Sequence, residues 1–320
     1  MAKPIIFLTR SLPDAVMTEL GRRFHLRHNR HDRPLSRQEL LRGIRNADGL
    51  ISMLSDRIDR EVIDAGPKLK IISNYAVGYN NIDLQAAADR DIPVTNTPGV
   101  LTETTADLTF ALLLAAARRL PEGEALVRSG KWSGWAPTQL LGTDLYGKTL
   151  GLIGIGRIGQ AVARRAAGFS MRTIYYCRHR LSPSAERKFK AAFVPFPRIL
   201  RESDFLSLHL PLTDDSRHLI DRKALHAMKP TSFLINTSRG PIVDEEALIN
   251  ALAEKRISGA GLDVFEKEPE LSRRLRGMKN VVLLPHIGSA STETRVKMGK
   301  MVMENLSAFF SKGKPPNMVN

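Results

Sequence analysis

The sequence predicts an α/β protein built from two doubly wound parallel sheets. Three observations predict it. Short apolar runs alternate with amphipathic helical patterns over the first hundred residues. A second alternating series begins at Lys148 and runs to about Pro285. At the head of that second series, a strand and a helix are joined by the glycine pattern Gly154, Gly156, Gly159. Alternation of this kind gives parallel strands joined by crossover helices. A chain of 320 residues has length for two domains, each with its own core.

The candidate strands of the first series are "IIFLT" (5–9), "FHLRH" (24–28), "GLIS" (49–52), "KIIS" (70–73) and "PVTN" (93–96). Between them lie helical patterns such as "PDAVMTELGRR" and "SRQELLRGIRN". The second of these opens on Ser36 with Glu39 three residues on, a capping-box pattern. Residues 102–119 predict a long helix, with Thr102 placed to cap it and Arg118 and Arg119 suited to its negative end. Residues 127–142 are loop-rich and hold Trp132 and Trp135. The strands of the second series are "TLGLIG", "RTIYYC", "FLSLHL", "SFLINT", "ISGAGLD" and "NVVLLP". A last helix is expected over 290–306, returning to either series.

Composition narrows the function classes. Hydrophobic residues make up 42% and charged residues 25%, as in ordinary globular proteins. The apolar run at 108–117 is too short to span a bilayer, and "MAKPIIFLTR" lacks the apolar region of a secretory signal. A cytoplasmic enzyme with no membrane partner is expected. The single cysteine excludes an internal disulfide, and no metal site is expected. The net charge of +15 raises the question of a nucleic-acid partner. The basic residues are spread along the chain without a nucleic-acid motif, so none is expected. A positive field also attracts anionic substrates and phosphorylated cofactors.

The segment "GKTLGLIGIGRIGQAVARRAAGF" (147–169) carries the strongest signal. Gly154 permits a tight turn, Gly156 lets the backbone approach a pyrophosphate, and Gly159 lets helix and strand pack closely. The helix then opens at Arg157 and Ile158 and points its free N–H groups at the phosphates. The next strand should end at "YYC". An Asp or Glu there would bind the ribose 2′-hydroxyl of NAD. Cys177 stands in that place, eighteen residues past Gly159, followed by Arg178, His179 and Arg180. Two arginines without a carboxylate suit a 2′-phosphate, so NADP(H) is the preferred cofactor and NAD(H) a possible one. A solvated basic turn with no cofactor preference is the alternative.

Three polar residues follow three successive strands. Arg239 follows "FLINT", Glu268 lies in the loop after "GAGLD" together with Asp263, and His286 follows "VVLLP". A His beside a carboxylate is a general acid–base, and a guanidinium beside them clamps an anion. With a dinucleotide in the same crevice, the set suits hydride transfer to a carbonyl next to a carboxylate.

The chain resembles the D-isomer-specific 2-hydroxyacid dehydrogenases, and most nearly their glyoxylate/hydroxypyruvate reductase branch. The resemblance rests on "NYAVGYNNIDL", "VTNTPGVLTETTADLTFALLLAAARR", "GKWSGWAP", "GLIGIGRIGQAVARR", "NTSRGPIVDEEAL", "GLDVFEKEP" and "PHIGSAS". It implies a flavodoxin-like substrate domain (1–97 and 288–320) split by an inserted Rossmann domain (98–287), with the active site in the cleft between them. It implies reduction of small 2-oxo acids such as glyoxylate and hydroxypyruvate. His286 would protonate the nascent alkoxide, Glu268 would hold the imidazole and raise its pKa, and Arg239 would bind the carboxylate and polarise the carbonyl. Val77 and Gly78 match a loop whose N–H groups receive the substrate carboxylate, with Met53 nearby. Asp263 matches a contact to the nicotinamide carboxamide. Thr237, Ser238, Ile287 and Gly288 match backbone contacts to the cofactor.

The segment around Trp132 and Trp135 resembles a dimerisation arm, so a homodimer is expected; core aromatics under a loop are the alternative. Asp91 and Ser170 stand where the branch commonly has Gly, and Asn80 where Asp is frequent. A chain ending at Asn320 leaves no room for the regulatory domain of long phosphoglycerate dehydrogenases, so control by serine is not expected. Oxidation of phosphoglycerate, D-lactate-type substrates or phosphite is the alternative within the class. A corepressor-like binding protein on the same scaffold is the alternative outside it.

Overall fold

The structure, a computed structural model, describes residues 3–320. Met1 and Ala2, the start of the N-terminal segment read above, lie outside the described residues. The chain divides into two compact units, Met1–Leu101 with Ser289–Asn320, and Thr102–Gly288.

The first unit holds five strands: β1 (Ile5–Leu8), β2 (His25–His28), β3 (Gly49–Ser52), β4 (Ile71–Asn74) and β5 (Val94–Thr95). They form one parallel sheet in the order β2-β1-β3-β4-β5. This is the flavodoxin-like order, which reverses direction next to the first strand. β3 and β4 are buried along their whole length, as strands covered by helices on both faces must be. β2 is the edge and alternates exposed His25 and Arg27 with half-buried Leu26 and His28, which blunts it against pairing. Ser36 and Glu39 form the expected capping box at the helix Arg37–Ile44. The last helix runs further than the sequence suggests, Thr292–Lys312, and packs on the helix Asp14–Arg23 and on β4. The tail beyond it completes the β5 edge. Asn320 accepts the Val94 N–H at 2.8 Å and donates to the Ile92 carbonyl at 2.9 Å.

The second unit holds β6 (Thr149–Ile153), β7 (Arg172–Tyr176), β8 (Ala191–Phe193), β9 (Phe205–Leu208), β10 (Phe233–Asn236), β11 (Gly259–Leu262) and β12 (Val281–Leu283). All pair in parallel, in the order β12-β11-β10-β9-β6-β7-β8. The order reverses between β6 and β9, so the crevice outside their carboxyl ends is where a dinucleotide binds in such sheets. The helix Thr102–Ala117 is buried on most sides against β10, β11 and the helix Arg157–Gly168. It ends at Ala117, before the arginines expected to complete it. Arg119 turns left-handed (φ 55°) and opens the helix Leu120–Arg128, where it pairs with Glu122 at 2.8 Å. That helix, β8 and the short helices Pro183–Phe189 and Phe196–Glu202 escape the periodicity reading. Each is short, and prolines at 183, 195 and 197 break the apolar pattern.

Two departures from glycine behave as the backbone demands. Asp91 and Ser170 both adopt left-handed φ, 52° and 54°. Trp132 and Trp135 are not core aromatics: they are 52% and 83% exposed. Among the described residues, no helix is long and apolar enough to cross a membrane, and no cluster of potential metal ligands is present.

Candidate active site

The glycine turn stands at the reversal point of the seven-stranded sheet. Gly154 has φ +92°, and a Cβ there would lie 2.3 Å from the His209 carbonyl oxygen at the end of β9. It therefore needs glycine twice over, for its backbone angle and for close approach. Gly159 packs the helix onto the turn, its Cβ position being 2.4 Å from the Gly154 carbonyl. Gly156 differs: a Cβ there would meet nothing within 4 Å. The protein makes no use of that bare face, and a pyrophosphate needs it clear. The helix beginning at Arg157, which is exposed, presents its unpaired N–H groups on the same side. Ile158 is half-buried against the helix Thr102–Ala117 cluster. These features fit a dinucleotide.

The Gly154 N–H donates to the Tyr176 carbonyl at 2.9 Å, which sets the end of β7 beside the turn. Cys177 is half-buried and its thiol donates to the His179 carbonyl at 2.8 Å. Arg178, His179 and Arg180 are exposed. The two arginines are not equivalent. Arg180 forks onto Glu186 at 2.8 and 2.9 Å and lies over the Phe193 ring. The Arg180 bonds, with that from Tyr175, hold the Glu186 carboxyl down to about 2. Arg180 is thus engaged by a carboxylate that the local sequence reading did not pair with it. Arg178 faces Asp215 at the longer distance of 3.8 Å, and both are largely exposed.

Arg239, Glu268 and His286 come together at the carboxyl ends of β10, β11 and β12. The His286 Nδ1 lies 2.8 Å from Glu268 Oε2. A carboxylate only accepts, so Nδ1 carries the hydrogen and Nε2 is the nitrogen left for a reacting atom. The other Glu268 oxygen accepts the Phe265 N–H at 3.0 Å. Burial pushes the Glu268 carboxyl up. The hydrogen bond and charge of His286, the Phe265 N–H and the Arg239 charge outweigh it, so the group stays below its ordinary range. Arg239 is half-buried. Burial pushes its guanidinium down, and Glu268 offsets part of this.

The backbone at His286 is left-handed, with φ 55°. Such a conformation costs an ordinary side chain about 1–2 kcal/mol and persists where the surroundings impose it. Asp263 imposes it here. Its Oδ1 accepts the Ile287 N–H at 2.7 Å and its Oδ2 the Gly288 N–H at 2.8 Å. The Thr105 hydroxyl donates to the Gly288 carbonyl at 3.0 Å. Asp263 is 1% exposed, and burial pushes its carboxyl up against the pull of these N–H groups and His286. The structure therefore gives Asp263 a task the sequence reading did not foresee: it anchors the chain just after His286. Thr237 ties β10 to the helix Thr102–Ala117, its Oγ1 being 3.0 Å from that of Thr109. Ser238 donates to the Leu208 carbonyl at 2.6 Å. His209 has no signal in the sequence, because its role depends on β9 ending at the glycine turn. Its Nε2 is 2.8 Å from Ser207 Oγ, and burial pushes the ring down to about 3, so it is neutral.

In the first unit, Met53, Val77 and Gly78 lie in two half-buried loops. A buried polar network ties the loops together. Asn74 Nδ2 donates to the Gly78 carbonyl at 2.8 Å, and Asn81 Nδ2 donates to the Met53 and Asp56 carbonyls at 3.0 and 3.1 Å. The Asp56 carboxylate accepts the Met53 N–H at 2.7 Å and the Thr9 hydroxyl at 2.5 Å.

Comparison with known proteins agrees with this geometry. The family model for the NAD-binding domain of D-isomer-specific 2-hydroxyacid dehydrogenases matches residues 110–288. A glyoxylate reductase of Thermococcus litoralis is 51% identical, over 99% of this chain and 97% of its own length. Among solved structures, a protein from Thermus thermophilus superposes with a TM-score of 0.91 at 46% identity, covering 99% of this chain and 100% of that one. The NADPH-dependent glyoxylate/hydroxypyruvate reductase of Sinorhizobium meliloti, solved with NADP and malonate, gives 0.87 at 35% identity, over 99% of this chain and 97% of its own. These matches cover nearly the whole chain, and the chain belongs to the D-isomer-specific 2-hydroxyacid dehydrogenases, a family of NAD(P)-dependent enzymes.

Proposed function

We propose that the chain reduces small 2-oxo acids, glyoxylate and hydroxypyruvate first, to 2-hydroxy acids, with His286 as the general acid. The observation that carries this reading is the 2.8 Å hydrogen bond from His286 Nδ1 to Glu268 in the same cluster as Arg239. A nicotinamide dinucleotide held at Gly154, Gly156, Arg157, Ile158 and Gly159 would supply the hydride. Arg239 binds the substrate carboxylate and draws electron density toward the carbonyl oxygen. As that oxygen gains negative charge, protonated His286 delivers its Nε2 proton to it. The products are the hydroxy acid, the oxidised dinucleotide and neutral His286, which solvent reprotonates. Glu268 keeps the ring in the productive tautomer and balances the imidazolium charge. Met53, Val77 and Gly78 are further candidates for substrate contact, on the family resemblance. Asp263, Thr237, Ser238 and Gly288 complete the cofactor contacts.

NADP(H) is the preferred cofactor in this reading. Arg178 and His179 carry the preference, because Arg180 is already neutralised by Glu186. The Sinorhizobium relative, described as NADPH-dependent, supports it. The chain works as a homodimer in the cytoplasm, with Trp132 and Trp135 covered by the second copy; their exposure supports this.

Initial rates with glyoxylate, hydroxypyruvate, pyruvate and 3-phosphoglycerate, each with NADH and NADPH, test the reading. Turnover of none of the 2-oxo acids would sink it. His286→Gln should lower kcat by about a hundred-fold or more while leaving NADPH binding intact. Activity that survives this change would remove His286 from its role.

A further inference from the structure

A second His–carboxylate pair lies behind the catalytic cluster. His218 Nε2 donates to Glu266 Oε1 at 2.8 Å. The other Glu266 oxygen accepts the Glu245 N–H at 3.1 Å, at the start of the helix Glu245–Ala253. The Glu266 N–H in turn donates to the Glu245 carboxylate at 3.1 Å. A negative group at a helix N-terminus is favoured there. The His218 backbone is held as firmly as its ring. Its N–H donates to the Pro241 carbonyl at 2.8 Å, and Ile220 pairs with Val243 in a short parallel bridge. Its φ of 51° is left-handed, which an imidazole adopts only when its surroundings impose it.

These contacts join two particular loops. Pro241 lies just after Arg239, and Glu266 lies just before Glu268. Between them Gly240 presses on the Phe265–Glu266 peptide: a Cβ there would sit 1.8 Å from the Phe265 carbonyl oxygen. Phe265 is also the residue whose N–H holds Glu268. One residue thus spans the two segments: its backbone N–H holds Pro241, next to the anion clamp, and its ring holds Glu266, next to the residue that orients the proton donor. We propose that His218, through Glu266, is a positioning residue that fixes the spacing between Arg239 and the Glu268–His286 pair. The inference rests on the catalytic roles proposed above. A spacing error matters because carboxylate and carbonyl oxygen belong to one small substrate. If the clamp slides, the oxygen leaves the His286 Nε2.

The test compares His218→Ala, His218→Gln and Glu266→Gln with the parent enzyme in glyoxylate reduction. His218→Ala should lower kcat about ten-fold and raise KM for glyoxylate, since small misplacements of reacting groups cost that much or more. NADPH affinity, read by fluorescence titration, should change less than two-fold. His218→Gln keeps a donor for Glu266 and should recover most of the lost kcat. Glu266→Gln preserves volume but can accept only one of two N–H donors; it should lower kcat about three- to ten-fold and tests the link if His218→Ala fails to fold. Parent-like kinetics in either His218→Ala or Glu266→Gln would overturn the inference. So would a loss that Gln does not restore, or one matched by weaker NADPH binding and a lower Tm. His286→Gln run alongside separates the two claims: an active His286 variant refutes the acid–base role, whatever His218 does.

Discussion

Replacing Glu268 by Gln changes one atom and removes one acceptor. In the parent, both oxygens are used, Oε1 by the Phe265 N–H at 3.0 Å and Oε2 by the His286 Nδ1–H at 2.8 Å. An amide offers a single acceptor oxygen, so one of these bonds is lost whichever way it turns. If the oxygen stays on Phe265, the amide NH₂ faces His286, and Nδ1 must give up its hydrogen to accept. The ring is then in the wrong tautomer, and the imidazolium has no partner. A hydrogen bond to a charged group contributes about 1.5–3 kcal/mol, or about ten- to a hundred-fold in rate. The Glu268 side chain is 35% exposed, so solvent moves the expectation to the lower end, about ten-fold in kcat. The assay is kcat for glyoxylate reduction across pH. Stability gives an independent reading. The carboxyl lies below its ordinary 4.5, so its contribution is complete above that pH and lost as pH falls through the folded value. The Tm advantage of the parent over Glu268→Gln should therefore shrink in acid. A variant with kcat within two-fold of the parent would refute the reasoning.

Three further outcomes follow from other parts of the molecule. Arg178→Ala should weaken NADPH binding about ten-fold and spare NADH, whereas Glu186→Gln, which releases Arg180, should tighten NADPH; equal effects on both cofactors would dismiss the phosphate reading. His209 is neutral in the fold down to about pH 3, while an unfolded His takes a proton below about 6.5. The unfolded chain then binds more protons, so stability falls by up to about 1.4 kcal/mol per pH unit as pH drops through that window; His209→Gln should flatten the slope in thermal melts. Ser170→Gly relieves a left-handed serine at a helix end and should stabilise by roughly 0.5–1 kcal/mol, a rise of about 2 °C in Tm; a lower Tm would mean the hydroxyl has a contact worth more than the strain.

Much of the fold and of the candidate site was legible in the one-dimensional pattern, for physical reasons. Buried parallel strands must be continuously apolar, so β3, β4, β6, β9 and β10 announce themselves. The glycine turn is local chemistry, and so is the Ser36–Glu39 cap. Arg239, Glu268 and His286 were readable because each follows a strand, and strand ends of a parallel sheet converge on one edge. Short helices in proline-broken sequence left no such period. Side-chain partners were also out of reach, even between near neighbours. Arg180 reads as a phosphate ligand in "RHR", and only the fold brings Glu186 to it.

Periodicity and local turn chemistry depend on neighbours in the chain, so they were enough to specify the two parallel sheets, the dinucleotide turn and the chemical character of the cluster. The folded arrangement pairs Arg180 with Glu186, places the Asp263 carboxylate on the two N–H groups after His286, and ties His218 to Glu266 and Pro241. Those outcomes depend on hydrogen bonds that no periodicity signals, from Arg180 with Glu186 six positions on to Asp263 with Ile287 and His218 with Glu266 some 20 to 50 positions apart, whose geometry exists only once the strands and helices have packed.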